Sequence, residues 1–146
     1  MKKVNMYTDG ACRGNPGPGG YGVILEYNGH IKKLSGGERS TTNNRMELMA
    51  AIVGMEALKE DCEITLCSDS KYLIDAIEKG WLESWYKKGW VKADKKPVLN
   101  PDLWEKIYAL IHRHKINTVW IKGHDGHPEN EECDRMATEA ADKFKE

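Results

Sequence analysis

No cysteine pair in this 146-residue chain has the spacing of a metal finger: the four cysteines, at 12, 62, 67 and 133, include no CxxC. A thiolate zinc site is therefore not expected, and the cysteines read as reduced intracellular thiols. No apolar run reaches membrane length. Met1-Lys2-Lys3 is basic, as the start of a secretion signal would be, but Asn5, Thr8 and Asp9 interrupt any apolar stretch behind it. Internal repeats, low-complexity segments and linker-like stretches are missing too. The segment Gly10 to Gly20 is rich in glycine and proline, yet it lacks the Gly-Lys-Ser/Thr ending of a phosphate-binding P-loop and precedes a strand. With 40% apolar residues, the expectation is one cytoplasmic domain over residues 1–146. A chain of this size buries roughly 70% of the surface its unfolded form exposes.

An excess of charge of either sign is nearly absent in total, with a net of −1 from 22 basic and 23 acidic residues, but not locally. Lys79 to Lys96 holds six lysines against Glu83 and Asp94, a net of +4, whereas Asp125 to Glu146 carries a net of −5. A basic lobe on a near-neutral protein can still hold a polyanion.

Val4 to Asp9 and Ile64 to Asp69 read as strands bounded by turn residues. Gly10 to Gly20 is expected to be a loop. Strands over Tyr21 to Tyr27 and His30 to Leu34 should join at Asn28-Gly29, a strong hairpin signal. A helix is expected over Asn43 to Leu58, apolar on nearly every side and so largely buried. Further helices are expected from Ser70 to about Glu78, near Pro101 to His114, and over Pro128 to Phe144, with Pro128 in the first turn. Ile116 to Ile121 reads as a fifth strand, apolar enough to be central or packed on both faces. Three strands followed by strand and helix alternation predict an α/β layer with a mixed sheet.

Four carboxylates, Asp9, Glu47, Asp69 and Asp134, stand in separate segments where the local pattern favours an apolar or neutral residue. Two strand-end carboxylates side by side repel unless a cation lies between them, so the pattern suggests a metal site. The small residues Ala51 and Gly54 would let the helix lie close on a sheet, aiming Glu47 at strand ends. Each acid also has an ordinary explanation. Asp9 could close a turn before Gly10, Asp69 with Ser70 could cap a helix, and Asp134 could favour a helix N-terminus. Glu47, three residues after Asn44, has capping-box spacing.

The words around these acids carry a resemblance. Tyr7-Thr8-Asp9-Gly10, Gly14-Asn15-Pro16-Gly17-Pro18-Gly19-Gly20-Tyr21-Gly22, Thr41-Thr42-Asn43-Asn44-Arg45-Met46-Glu47-Leu48, Ser68-Asp69-Ser70 and Val119-Trp120-Ile121-Lys122-Gly123-His124 occur in that order. With Gly126-His127-Pro128-Glu129-Asn130 and Asp134 behind them, they resemble the bacterial type I ribonuclease H family from about Val4 to Phe144. The resemblance implies an α/β, ribonuclease H-like fold: a five-stranded mixed sheet whose first three strands form an antiparallel meander, flanked by helices. It also implies an endoribonuclease that hydrolyses the RNA strand of RNA/DNA hybrids by two-metal-ion phosphodiester cleavage. The products would carry 3′-hydroxyl and 5′-phosphate ends, and the biological task would be removal of primer and R-loop RNA.

By that match Asp9, Glu47, Asp69 and Asp134 are the metal-binding acids and His124 is the catalytic histidine. The implied cofactor is Mg²⁺, two ions with substrate and Mn²⁺ a possible substitute. A hard cation that prefers carboxylate and phosphate oxygens suits these residue types. His124, between Gly123 and Asp125-Gly126, would shuttle a proton or help release product.

The resemblance further makes Cys12, Gly14 and Asn15 part of a floor that meets the RNA minor groove, where 2′-hydroxyls are exposed. Thr42, Asn43, Asn44 and Asn100 match positions that bind substrate, chiefly the DNA strand. Trp81, Trp85 and Trp90, interleaved with Lys87, Lys88, Lys92, Lys95 and Lys96, match a basic protrusion at about 81–100. There Trp81 would lie against DNA sugars and the lysines would contact phosphates, so binding should fall as salt rises. Ordinary readings exist here also: packing of a short helix for Trp81 and Trp85, a solvated face for the lysines.

Two positions depart from the family pattern. Ser40 stands where relatives commonly place a basic residue of the phosphate pocket, with Arg39 as the candidate compensator. Asp125 stands beside His124, where relatives often have a small neutral residue, and an added acid there could raise the histidine's pKa or attract metal. No added hybrid-binding domain is expected after the last helix, so the protrusion would supply much of the grip. The expected partner is the RNA/DNA hybrid, bound by a monomer without membrane attachment or an obligate protein partner. The alternative is a catalytically silent hybrid-binding module, against which the presence of all four acids and the histidine weighs.

Overall fold

Strand β1 (Lys2–Cys12) buries Val4, Met6 and Thr8 while Lys3 and Asn5 face solvent, the period-two pattern of a strand with one face covered. It belongs to a computed structural model that describes residues 1–122 and 127–145. Antiparallel to β1 runs β2 (Gly17–Tyr27), in register from Asn5↔Glu26 to Cys12↔Gly19. A two-residue turn leads into β3 (His30–Thr41). Asn28 and Gly29 both have positive φ, 49° and 80°, as a hairpin turn matched to strand twist requires, so the hairpin falls where the Asn-Gly pair predicts it.

The chain continues as α1 (Asn43–Glu56), β4 (Cys62–Ser68), α2 (Lys71–Glu78), α3 (Trp81–Lys87), α4 (Pro101–Arg113), β5 (Lys115–Trp120) and α5 (Pro128–Asp142). β4 pairs parallel to β1, and β5 parallel to β4, giving one mixed sheet in the order β3-β2-β1-β4-β5. The helices cover both faces. Met6 and Val23 lie under α1 at Gly54, whereas Tyr7 and Ile24, one residue on in each strand, pack with Cys133 and Met136 of α5. The larger core lies on the α1 side, where Trp104 and Ile107 of α4 are fully buried.

Three expectations fail, the first being that β3 would stop at Leu34: it runs to Thr41. Gly10 to Gly20 is not one loop: β1 continues to Cys12 and β2 begins at Gly17, leaving residues 13–16 as the connection. The glycines there do not break the strand but allow close packing. A Cβ at Gly20 would run into the backbone of Ala137 and Ala141, and one at Gly22 into the carbonyl of Cys133, so α5 lies directly on β2. Nor is β5 central. It is the sheet edge, with Val119 and Trp120 each 42% exposed, because only Ile116 of its apolar residues turns into the core. Among the described residues, no helix is long and apolar enough to cross a membrane.

Candidate active site

The parallel pairing of β1 with β4 ends at Tyr7↔Cys67. Asp9 and Asp69 each follow two residues later, so the shared register carries them to the same level, just beyond the last pairing of the two strands. Asp9 is thus not the end of its strand: β1 continues against β2 past Asp9↔Gly22 and has only lost its partner on the β4 side. Into that gap comes Glu47 from α1. The carboxylates of Asp9, Glu47 and Asp69 offer ligand atoms that all lie within 4.8 Å of one another, the one cluster of this kind among the described residues.

Local chemistry fixes each acid. Thr42, not Asn44, caps α1, its Oγ1 accepting the Arg45 N–H at 3.2 Å, so Glu47 is not needed to start the helix. Gly10 lets α1 lie directly on β1, and its N–H donates to Asp9 Oδ1 at 2.9 Å. Beyond β4, the Ser70 N–H donates to Ser68 Oγ at 3.0 Å, while Ser70 Oγ caps α2 by accepting from Leu73 N–H at 3.2 Å. The cap is therefore Ser70 and not Asp69. The indole Nε1–H of Trp120 donates to the Asp69 carbonyl at 3.3 Å. Asp134 is the seventh residue of α5, past the first turn where a helix dipole would explain an acid. It stands close enough to Asp9 for its charge to act on that carboxyl.

Asp9 and Glu47 are 4% and 5% exposed, and Asp9 Oδ2 and Glu47 Oε1 are buried without a hydrogen-bond partner. Burial, then the charges of Asp69 and Asp134, push the Asp9 carboxyl up to about 8. Burial, then Asp9 and Asp69, hold the Glu47 carboxyl well above its ordinary value. Buried acceptor oxygens without donors, on acids that repel, are what a hard divalent cation would satisfy. The site fits such an ion, held by oxygen ligands and not by the cysteine thiols. Cys133, buried beside the site, has its own pKa pushed up to about 12 by burial and by the charge of Asp9.

The other expected residues fall into two groups. Cys12 closes β1 with its thiol against the carbonyls of Thr41 and Gly17, at 3.3 and 3.5 Å. Gly14 has a φ of +96°, and Asn15 Oδ1 accepts the Asn43 N–H at 3.3 Å, tying the connection 13–16 to the start of α1. Thr42, Asn43 and Asn44 are together there, the two asparagines exposed. Asn100 precedes α4 in a left-handed conformation and accepts from Arg45 Nη1 at 3.2 Å.

Lys87, Lys88, Lys95 and Lys96 are exposed on α3 and on the following turn, which is closed by the Val91↔Pro97 bridge. Trp81 is 44% exposed with the Lys79 ammonium 5.3 Å above its ring. Trp85 instead turns inward, edge-on to buried Trp104 at 5.5 Å. His124 and Asp125 lie outside the described residues. Sequence reasoning missed Arg45, Tyr72, Asp102 and Trp120. None has a local signal, because each acts through a partner distant in sequence.

The family model for RNase H matches residues 1–142. The ribonuclease H of Erythrobacter litoralis is 60% identical over 142 residues, 97% of this chain and 98% of that one. That of Desulforamulus reducens is 58% identical over 141 residues, 97% of this chain and 89% of its own length. Among solved structures, LC9-RNase H1, described as a type 1 RNase H with the type 2 active-site motif, is similar with a TM-score of 0.86 and 30% identity, covering 99% of this chain and 74% of that one. LC11-RNase H1, solved in complex with an RNA/DNA hybrid, aligns with a TM-score of 0.74 at 27% identity, over 96% of this chain and 97% of that one.

Proposed function

Since the chain belongs to the RNase H family, we propose that it cuts the RNA strand of RNA/DNA hybrids as an endonuclease. The observation that carries this reading is the set of three carboxylates within 4.8 Å, two of whose buried oxygens have no protein donor. Asp9, Glu47 and Asp69 would hold Mg²⁺, with Asp134 completing the set from α5. When bound, two ions with substrate supply an activated water and stabilise the leaving oxygen of an in-line displacement at phosphorus. Mn²⁺, with similar ligand preference, is the expected substitute.

The chain's own residues do the rest. The protein holds Asp9 and Glu47 buried between β1 and α1, where one oxygen of each has no protein hydrogen-bond partner. His124 follows the end of β5 in sequence and would move a proton at the departing oxygen. The stitched segment of Cys12, Gly14 and Asn15 would meet the RNA minor groove, and Thr42, Asn43, Asn44 and Asn100 the DNA strand. Residues 81–100 would form a basic protrusion of one RNase H domain, Trp81 giving its exposed aromatic face, Trp85 anchoring it to the core and the lysines contacting phosphates. Removal of primer and R-loop RNA by a cytoplasmic monomer without an obligate protein partner completes the reading.

End-group analysis of the RNA products tests the mechanism. Cleavage in Mg²⁺ should leave 3′-hydroxyl and 5′-phosphate ends and stop in EDTA. Cyclic phosphate ends would show attack by the RNA's own 2′-hydroxyl and overturn it.

A further inference from the structure

The guanidinium of Arg45, 30% exposed, is tied to protein partners through both of its terminal nitrogens. It forms a two-pronged pair with Asp102, at 3.1 Å from Nη1 and 2.8 Å from Nη2, and Nη1 also donates to Asn100 Oδ1 at 3.2 Å. Its backbone N–H donates to Thr42 Oγ1. Of the two positions that the substrate reading assigns to the DNA strand, Asn100 is therefore bound by the side chain of this residue and Thr42 by its backbone alone. Asn100 has a φ of 57° and ψ of 43°, a left-handed conformation that asparagine tolerates better than most L-residues. The other end of its amide is also secured, Nδ2 donating to the Tyr72 hydroxyl at 3.1 Å, which accepts from buried Trp104 Nε1 at 3.1 Å as well. These bonds join α1 two residues before Glu47, α2 just beyond Asp69, and the start of α4 directly behind the lysine-bearing turn.

We propose that Arg45 is the positioning residue of the DNA-strand grip, its side chain holding Asn100 in register with the acid cluster together with Asp102 and Tyr72, without itself contacting phosphate. The inference rests on the hybrid-cleaving reading above. The Arg45 guanidinium is already paired with Asp102 through both terminal nitrogens. A bidentate fork is a geometric device that lysine cannot reproduce.

The test compares wild type with Arg45→Ala, Arg45→Lys and Asp102→Ala, reading KM and kcat for a labelled RNA/DNA hybrid, the hybrid Kd in EDTA against salt, and thermal unfolding. Loss of this charged fork should raise KM and Kd about tenfold in both Arg45 variants. kcat should stay within about threefold and the salt slope should be unchanged, because no phosphate contact is lost. Asp102→Ala should weaken binding in the same direction. A direct phosphate contact predicts the opposite for Asp102→Ala, since a released guanidinium would tighten binding, and it predicts that Arg45→Lys resembles wild type; either result overturns the proposal. So does lowered thermal stability with KM and Kd unchanged. A wild type that binds hybrid without cutting would sink the nuclease reading alone, leaving Kd to judge Arg45, and one that does neither would sink both.

Discussion

Gly10 and Glu47 are in backbone contact: a Cβ placed on Gly10 would stand 2.6 Å from the Glu47 nitrogen and 2.7 Å from the Met46 carbonyl carbon. No side chain fits between β1 and α1 at this level, and that closeness puts the Glu47 carboxylate beside Asp9. Gly10→Ala must push helix and strand apart. Overpacking of this kind costs about 1–3 kcal/mol, and the separation of the two acids should lower Mg²⁺-dependent cleavage at least about tenfold. Denaturant unfolding and steady-state kinetics on one sample check both. Unchanged cleavage in a destabilised protein would show that the contact serves the fold and not the site.

Metal-free protein should lose stability as pH rises. Asp9 is pushed up from 3.8 to about 8, so the folded state binds its proton more tightly than the unfolded state does. The associated stability is fully present below pH 3.8 and disappears as pH climbs through about 8. Asp9→Asn removes the repelling charge and should raise stability in EDTA at pH 8 by about 2 kcal/mol, while abolishing cleavage. Mg²⁺ should stabilise wild type far more than the variant. Melting curves from pH 4 to 8, with and without Mg²⁺, read all three effects, and a wild type insensitive to pH in EDTA would contradict the assigned cause.

The two tryptophans of α3 should separate. Trp85 packs on the core beside Trp104, so Trp85→Ala should cost about 3 kcal/mol. Trp81 is exposed, so Trp81→Ala should keep stability within about 1 kcal/mol but weaken hybrid binding, since stacked or sugar-packed aromatics carry affinity. Chemical denaturation together with hybrid titration distinguishes them; equal losses of stability would refute the division.

Lysine contacts to phosphate release counterions. Replacing Lys88 or Lys96 by alanine should reduce the slope of log affinity against log salt by about 1 if each neutralises one phosphate. Binding isotherms over a range of KCl concentrations measure it. A slope equal to wild type would mark those lysines as a solvated face.

Legibility in the sequence followed the range of the interactions. The Asn28-Gly29 hairpin, the buried α1 and the Pro128 start of α5 are local decisions and were readable. Strand ends near Cys12 and Gly17 were not, because glycines that look like loop residues admit α5 onto β2, a contact 117 positions apart at Gly20 and Ala137. The apolar run of β5 suggested a central strand, but only its neighbours in the sheet decide that it is an edge. In the site, the three clustered acids were legible from their motifs. What holds them was not: Trp120 on Asp69 and Arg45 on Asn100 and Asp102 are pairings between distant segments that no spacing encodes. Capping-box spacing points to Asn44, and only the folded geometry selects Thr42 as the cap of α1.

The most direct test incubates labelled RNA/DNA, RNA/RNA and DNA/DNA duplexes of one sequence with wild type and Asp9→Asn, in Mg²⁺ and in EDTA. Cutting confined to the RNA strand of the hybrid, present only in Mg²⁺ and lost in Asp9→Asn, is the predicted result. Hybrid binding without cleavage in either Mg²⁺ or Mn²⁺, or cleavage that survives Asp9→Asn, would contradict the account.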